Sequence, residues 1–252
     1  MPELCLRLLI CLSIANSAKA HEFWLEPTEI DNQTQERSLD VKVFVGENFE
    51  GNVYPFEPRA YAAAYWIGPT KTEALHLRPL SDRDLPLDIQ DDGLHTLAVV
   101  SYGTGLVHET VDDFRAFARE VGAESSIAKD RPIPDQDGGV RETYRRFSKL
   151  LVRYGQAEAA DMRHGFEYEW VKSPFGLQLF ARDHVVKHHP VDLFCRSSDF
   201  KVAYERSVTD ARGQVPFVSG EFDRCLANTV FLTSSRSGRE WSSTWVSLTW
   251  DP

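Results

Sequence analysis

Apolar and polar residues alternate with period two in two long tracts of this chain, and a stretch with helical spacing separates them. Residues 39–45, Leu-Asp-Val-Lys-Val-Phe-Val, show the first clear alternation, as a strand with one buried face requires. Further strand-like runs fall at 61–67, 73–80 and 94–102, and again at 165–171, 177–182, 191–195, 200–205, 230–234 and 241–250. Turn chemistry separates them: Gly46 to Asn52, Asp91-Asp92-Gly93, and the segment from Thr209 to Phe217. In that last segment Asp210 can bond its own backbone and Gly213 can take positive φ. Short strands at this spacing predict antiparallel sandwiches. In the middle, Thr110 and Asp113 form a capping pattern, Phe114, Phe117 and Val121 follow at helical spacing, and Gly122 ends the run. A polar loop occupies 123–139. The spacing then predicts a second helix, with Tyr144, Phe147, Leu150, Leu151 and Tyr154 as its apolar stripe. Arg145, Arg146, Lys149 and Arg153 would form its solvated face, and Gly155 its C′ residue. The expected fold is therefore mainly β. It has two Ig-like or carboxypeptidase-regulatory-like antiparallel β-sandwich units, at 21–109 and 161–252, with a helical insert at 110–160 between them.

Residues 1–20 read as a secretory signal peptide: Arg7 in a short n-region, an apolar h-region from Leu8 to Ile14, and Ala18-Lys19-Ala20 as cleavage site. The apolar core is too short for a membrane span, which needs about 20 residues, and no second long apolar run occurs. The expected product is an exported, periplasmic, soluble protein with no membrane span after cleavage. Cys5 and Cys11 leave with the leader, so Cys195 and Cys225 remain as an even pair in an oxidising compartment, and a disulfide between them is expected. The formal net charge of -10 argues against nucleic acid and anionic lipid as partners.

Cleavage after Ala20 makes His21 the new N-terminus. Its free α-amine and imidazole Nδ1 can then close on one metal ion, and both can be unprotonated near neutral pH. His108, beside Glu109 in the loop before the helices, is the expected further ligand. Two nitrogens from one residue plus an imidazole suit copper best, with nickel behind it. The alternative metal site is His184, His188 and His189, the densest histidine cluster. Pro190 disfavours a helix there. His76 and His95 fall on strand candidates and read as ordinary surface or core histidines. Glu167 and Glu169 share one strand face and are expected to point to solvent. There is no Gly-x-Ser-x-Gly, His-Glu-x-x-His or P-loop motif, so the chain is not expected to be an enzyme.

Three segments together resemble the periplasmic NikM-like family, also called domain of unknown function 4198. They are Ala20-His21-Glu22-Phe23-Trp24-Leu25-Glu26-Pro27; Phe114-Arg115-Ala116-Phe117 and Val121-Gly122 followed by 141–152; and the Thr209-Asp210-Ala211-Arg212-Gly213 turn. The resemblance implies an exported β-sandwich protein linked to nickel or cobalt uptake. Two expectations follow. One is a binding or delivery protein for a transition metal, copper or nickel, held through His21. The other is a non-catalytic β-sandwich module that docks an envelope transporter or another envelope protein.

Overall fold

The computed structural model describes residues 22–28, 37–75, 84–127, 133, 138–157, 160–235 and 240–252. The leader, His21 and His76 lie outside the described residues. The chain is mainly β, and its one α-helix among the described residues is α1 (Val111–Glu120). No helix among them is long and apolar enough to cross a membrane.

The framework is a nine-stranded sheet. Its strands are β4 (Tyr61–Ile67), β5 (Thr72–Ala74), β7 (Gly93–Ser101), β8 (Thr104–His108), β9 (Val140–Tyr154), β13 (Pro190–Arg196), β14 (Val202–Val208), β16 (Arg224–Ser234) and β17 (Glu240–Trp250). The order is β14-β13-β16-β17-β9-β7-β4-β5, with β8 also paired to β9. Every pairing is antiparallel except β17 with β9, which is parallel. Two smaller sheets cover its faces. The first holds β1 (Glu22–Pro27), β2 (Ser38–Glu47), β3 (Glu50–Tyr54) and β6 (Leu85–Asp88). The second holds β10 (Tyr168–Ser173), β11 (Gly176–Ala181), β12 (His184–Val185) and β15 (Gln214–Val215).

Strand β9 shows how the layers are set. Leu150 and Val152 pack with Phe23, Leu25, Leu39, Val41 and other residues of the first small sheet. Phe147 and Leu151 pack on the opposite face with Trp170, Leu177 and Leu179 of the second. Successive side chains of a strand point to opposite faces, so β9 is buried on both. Here the structure corrects the sequence reading: 140–154 is a strand, not a helix. A strand covered on both faces loses its alternation and reads as a continuous apolar run, and the residues at 147, 150, 151 and 154 mimicked a helical stripe. Strand β9 is also the join by which strands from both halves of the chain form one sheet.

Helix α1 forms as expected. Thr110 Oγ1 accepts from the Asp113 backbone N–H (3.0 Å), and Asp113 Oδ2 accepts from the Thr110 N–H (3.1 Å). Phe114, Phe117 and Ala118 bury against Val230, Leu232, Trp241 and Trp245, beside the first small sheet. Gly122 ends the helix in the left-handed region, at φ 69°. In the Thr209–Phe217 turn, Asp210 Oδ1 accepts from the N–H groups of Arg212 (2.7 Å) and Gln214 (2.8 Å), and Gly213 has φ 72°. Cys195 and Cys225 are directly opposite one another on β13 and β16 and form the disulfide.

Candidate functional site

The Glu-Phe-Trp-Leu-Glu-Pro run is β1, and it packs against β9 and β17 of the large sheet. Phe23 and Leu25 face the core shared with β4, β7 and β9. Trp24 faces the other way, into a cluster with Phe49, Phe194 and Leu226. Both sides of the strand are therefore buried, and each of its two carboxylates enters protein rather than water.

At the Pro27 end both oxygens of the Glu26 carboxylate have partners. Glu26 Oε1 accepts from Trp24 Nε1 (2.7 Å), and Oε2 accepts from Arg196 Nη2 (2.8 Å) with Arg224 Nη1 at 3.7 Å. Arg224 also donates to the Pro27 carbonyl (3.3 Å) and to Asp251 (2.9 Å).

The Glu22 end is different. Glu22 Oε2 is sealed from solvent and has no hydrogen-bond partner. Burial pushes the Glu22 carboxyl up to about 7, against the backbone N–H groups of Glu22 and Asn48, which hydrogen-bond it and pull the other way; the nearby Asp192 and Glu47 carboxylates push with burial. Asp192 is already held, by Tyr204 Oη (2.9 Å) and by Arg206 Nε (2.7 Å) and Nη2 (2.8 Å). No cation among the described residues pairs with Glu22. Asp192 begins a polar row across the large sheet: Asp192, Asn228, Ser247 and Ser148 are register neighbours on β13, β16, β17 and β9. All four are buried, and Asn228 Oδ1 also lacks a partner. This row is a polar seam across four strands of the sheet.

The structure places the histidines as follows. His108 ends β8 and is buried beneath α1, its ring stacked on Phe117 and met edge-on by Phe114. Its Nε2 lies 2.6 Å from Glu142 Oε2. Glu142 Oε1 accepts from Ser243 Oγ, which in turn accepts from Trp245 Nε1 (3.1 Å). Because the carboxylate stands between hydroxyl and imidazole, the imidazole cannot take the serine proton directly. The array ties β8, β9 and β17 together under α1. His184 is exposed on β12, and His188 is exposed at φ 55°. His189 stacks on Phe231 with 4.2 Å between ring centroids, and burial pushes its imidazole down to about 4. These three do not converge: among the described residues, no three His, Cys, Asp or Glu side chains group to hold an ion. His95 is a core histidine, stacked on Trp66 with Nε2 2.8 Å from the Asp91 carbonyl.

Two charged groups on the other face escaped the sequence reading. Lys149 and Glu169 are buried, not solvated. Lys149 Nζ meets Asp161 Oδ1 at 2.7 Å, Glu169 Oε1 at 3.2 Å and the Trp170 carbonyl at 3.0 Å. Glu169 also accepts from the backbone N–H groups of His164 (2.9 Å) and Gly165 (3.2 Å). This network is satisfied and fastens the 161–169 segment to β9. Glu22 and Asn228 were missed because an unpartnered atom leaves no mark in a sequence. Neither a protein-family model nor a curated protein matches the chain.

Proposed function

We propose that this is an exported, non-catalytic binding protein that holds and delivers a transition-metal ion at its mature N-terminus. The observation that carries the reading is the buried, unpartnered Glu22 oxygen at the start of β1. Cleavage after Ala20 would leave His21 as the terminal residue, its Cα about 3.8 Å from that of Glu22. The donors of the proposed site are the α-amine, the His21 imidazole and the Glu22 carboxylate. A buried carboxylate with no cation beside it is costly to ionise, and a divalent ion at that position supplies the missing charge. His108 was the expected third ligand, but its Nε2 faces Glu142, so Glu22 takes that place here. Two nitrogens and one oxygen suit Cu(II) first and Ni(II) second. The resemblance to the NikM-like family points the same way, and the leader and the disulfide suit the periplasm.

The test is calorimetry with Cu(II) and with Ni(II) on protein beginning at His21 and on protein with one alanine added before it. The added residue turns the terminal amine into an amide. Affinity then drops by more than the roughly 10–100-fold typical of outer-shell changes, while the fold stays intact. Equal affinity for both forms rules the site out. A second reading, a module that docks an envelope transporter, draws on Phe175 and Phe200, which are 88% and 79% exposed at two hairpin turns. Tight partner binding with no metal dependence would favour it.

A further inference from the structure

The second charge beside β1 that no opposite charge among the described residues meets is positive. Arg146 lies on β9 at the Phe23 side of β1, its guanidinium carbon 5.2 Å from the Phe23 ring centroid and 4.7 Å from that of Tyr144. Its Nε is sealed from solvent without a partner. The polar groups around it are the phenols of Tyr144, Tyr61 and Tyr54, and no carboxylate among the described residues pairs with it. Burial lowers its pKa, so the fold holds this cation at a cost. The comparison within the molecule is direct. Arg196 and Arg224 meet Glu26, and Arg206 meets Asp192. In a chain of net charge -10, this largely buried guanidinium has phenols and no carboxylate beside it among the described residues.

The Tyr144 oxygen accepts from the guanidinium, which leaves its O–H free to donate to a ligand. Tyr61 is 8% exposed, and burial pushes its hydroxyl well above the ordinary phenol range, so the proton stays on. Its ring is stacked on Phe56 with 4.5 Å between centroids, which fixes its position. Arg146 keeps partial exposure and Tyr54 is 49% exposed, so the group lies near the protein surface. A guanidinium fork and neighbouring hydroxyls, with no acceptor charge, match an oxyanion, and a planar monoanion matches one fork both in geometry and in charge. Phosphate, carrying more charge, would need a second cation.

We propose that Arg146, with Tyr61 and Tyr144, forms a binding site for the carboxylate group of a small organic acid. The site does not depend on a metal at His21 and stands or falls separately from it. The test is a titration of the metal-free mature protein with acetate at constant ionic strength, followed by the NMR resonance of the Arg146 Nε–H group. Acetamide and inorganic phosphate serve as controls. The expected result is a saturable shift with acetate and none with acetamide or phosphate. Tyr61→Phe keeps the ring and weakens acetate binding about tenfold, the usual effect of losing one charge-assisted hydrogen bond. Arg146→Gln abolishes the acetate-dependent rise in thermal stability. No saturable shift with acetate, an equal shift with acetamide, or saturation by phosphate alone would each overturn the proposal, as would unchanged acetate affinity in Tyr61→Phe.

Discussion

The two ends of β1 carry the same residue type in the same strand and differ in what answers it. Glu26 is met by Trp24, Arg196 and Arg224. Glu22 is met by the backbone N–H groups of Glu22 and Asn48 and by nearby carboxylates, but by no cation among the described residues, and the Asn228 oxygen is unpartnered too. Folding needs only the first arrangement. The Lys149 network on the opposite face belongs with the Glu26 end, since both of its carboxylates are matched by donors.

Substitutions at the satisfied positions should destabilise strongly, and those at the unsatisfied end should not. The largest effect is expected for Lys149→Met, which leaves Asp161 and Glu169 buried without their cation. Urea unfolding should show a loss of about 3–5 kcal/mol, the range for breaking a buried ion pair. Glu26→Ala strands Arg196 and Arg224, which keep some solvent contact, and should cost about 3 kcal/mol. A loss below about 1 kcal/mol in either would remove the contrast. Asn228→Leu removes a buried oxygen with no partner, so it should be neutral or stabilise by up to about 1 kcal/mol. A clear loss in that variant would mean that Asn228 is satisfied in solution.

Much of this fold was legible in the sequence. The strands at 39–45, 61–67, 94–102, 177–182 and 241–250, the capping box at Thr110, the Asp210 turn and the Cys195–Cys225 pair all follow from local rules, because each depends on neighbours in sequence or on one exposed face. Strand β9 does not. Its register is set by β17, about 100 residues away, and its two faces are covered by two different sheets. That one misreading also hid the chemistry: taken as a helix, 140–154 put Arg146 and Lys149 on a solvated face, whereas the strand sends them into opposite interiors. Glu169 was missed for the related reason that its partner Lys149 sits on the misread segment. His21 remains a reading of the leader alone.

The most direct test is the stability of the metal-free mature protein between pH 4.5 and 8, compared with Glu22→Gln and repeated with Cu(II). A carboxyl raised from 4.5 to about 7 in the folded state destabilises as it ionises. Its contribution to stability is fully present at low pH, is lost as pH rises from about 4.5 to 7, and changes no further above that. Between those two values the unfolded chain has released a proton that the folded chain still holds, so the slope there reaches at most about 1.4 kcal/mol per pH unit. Relative to Glu22→Gln, the wild type should lose stability across that window, and bound Cu(II) should abolish or reverse the loss. Parallel profiles for the two proteins would contradict the account, because Glu22 would then be as well satisfied as Glu26.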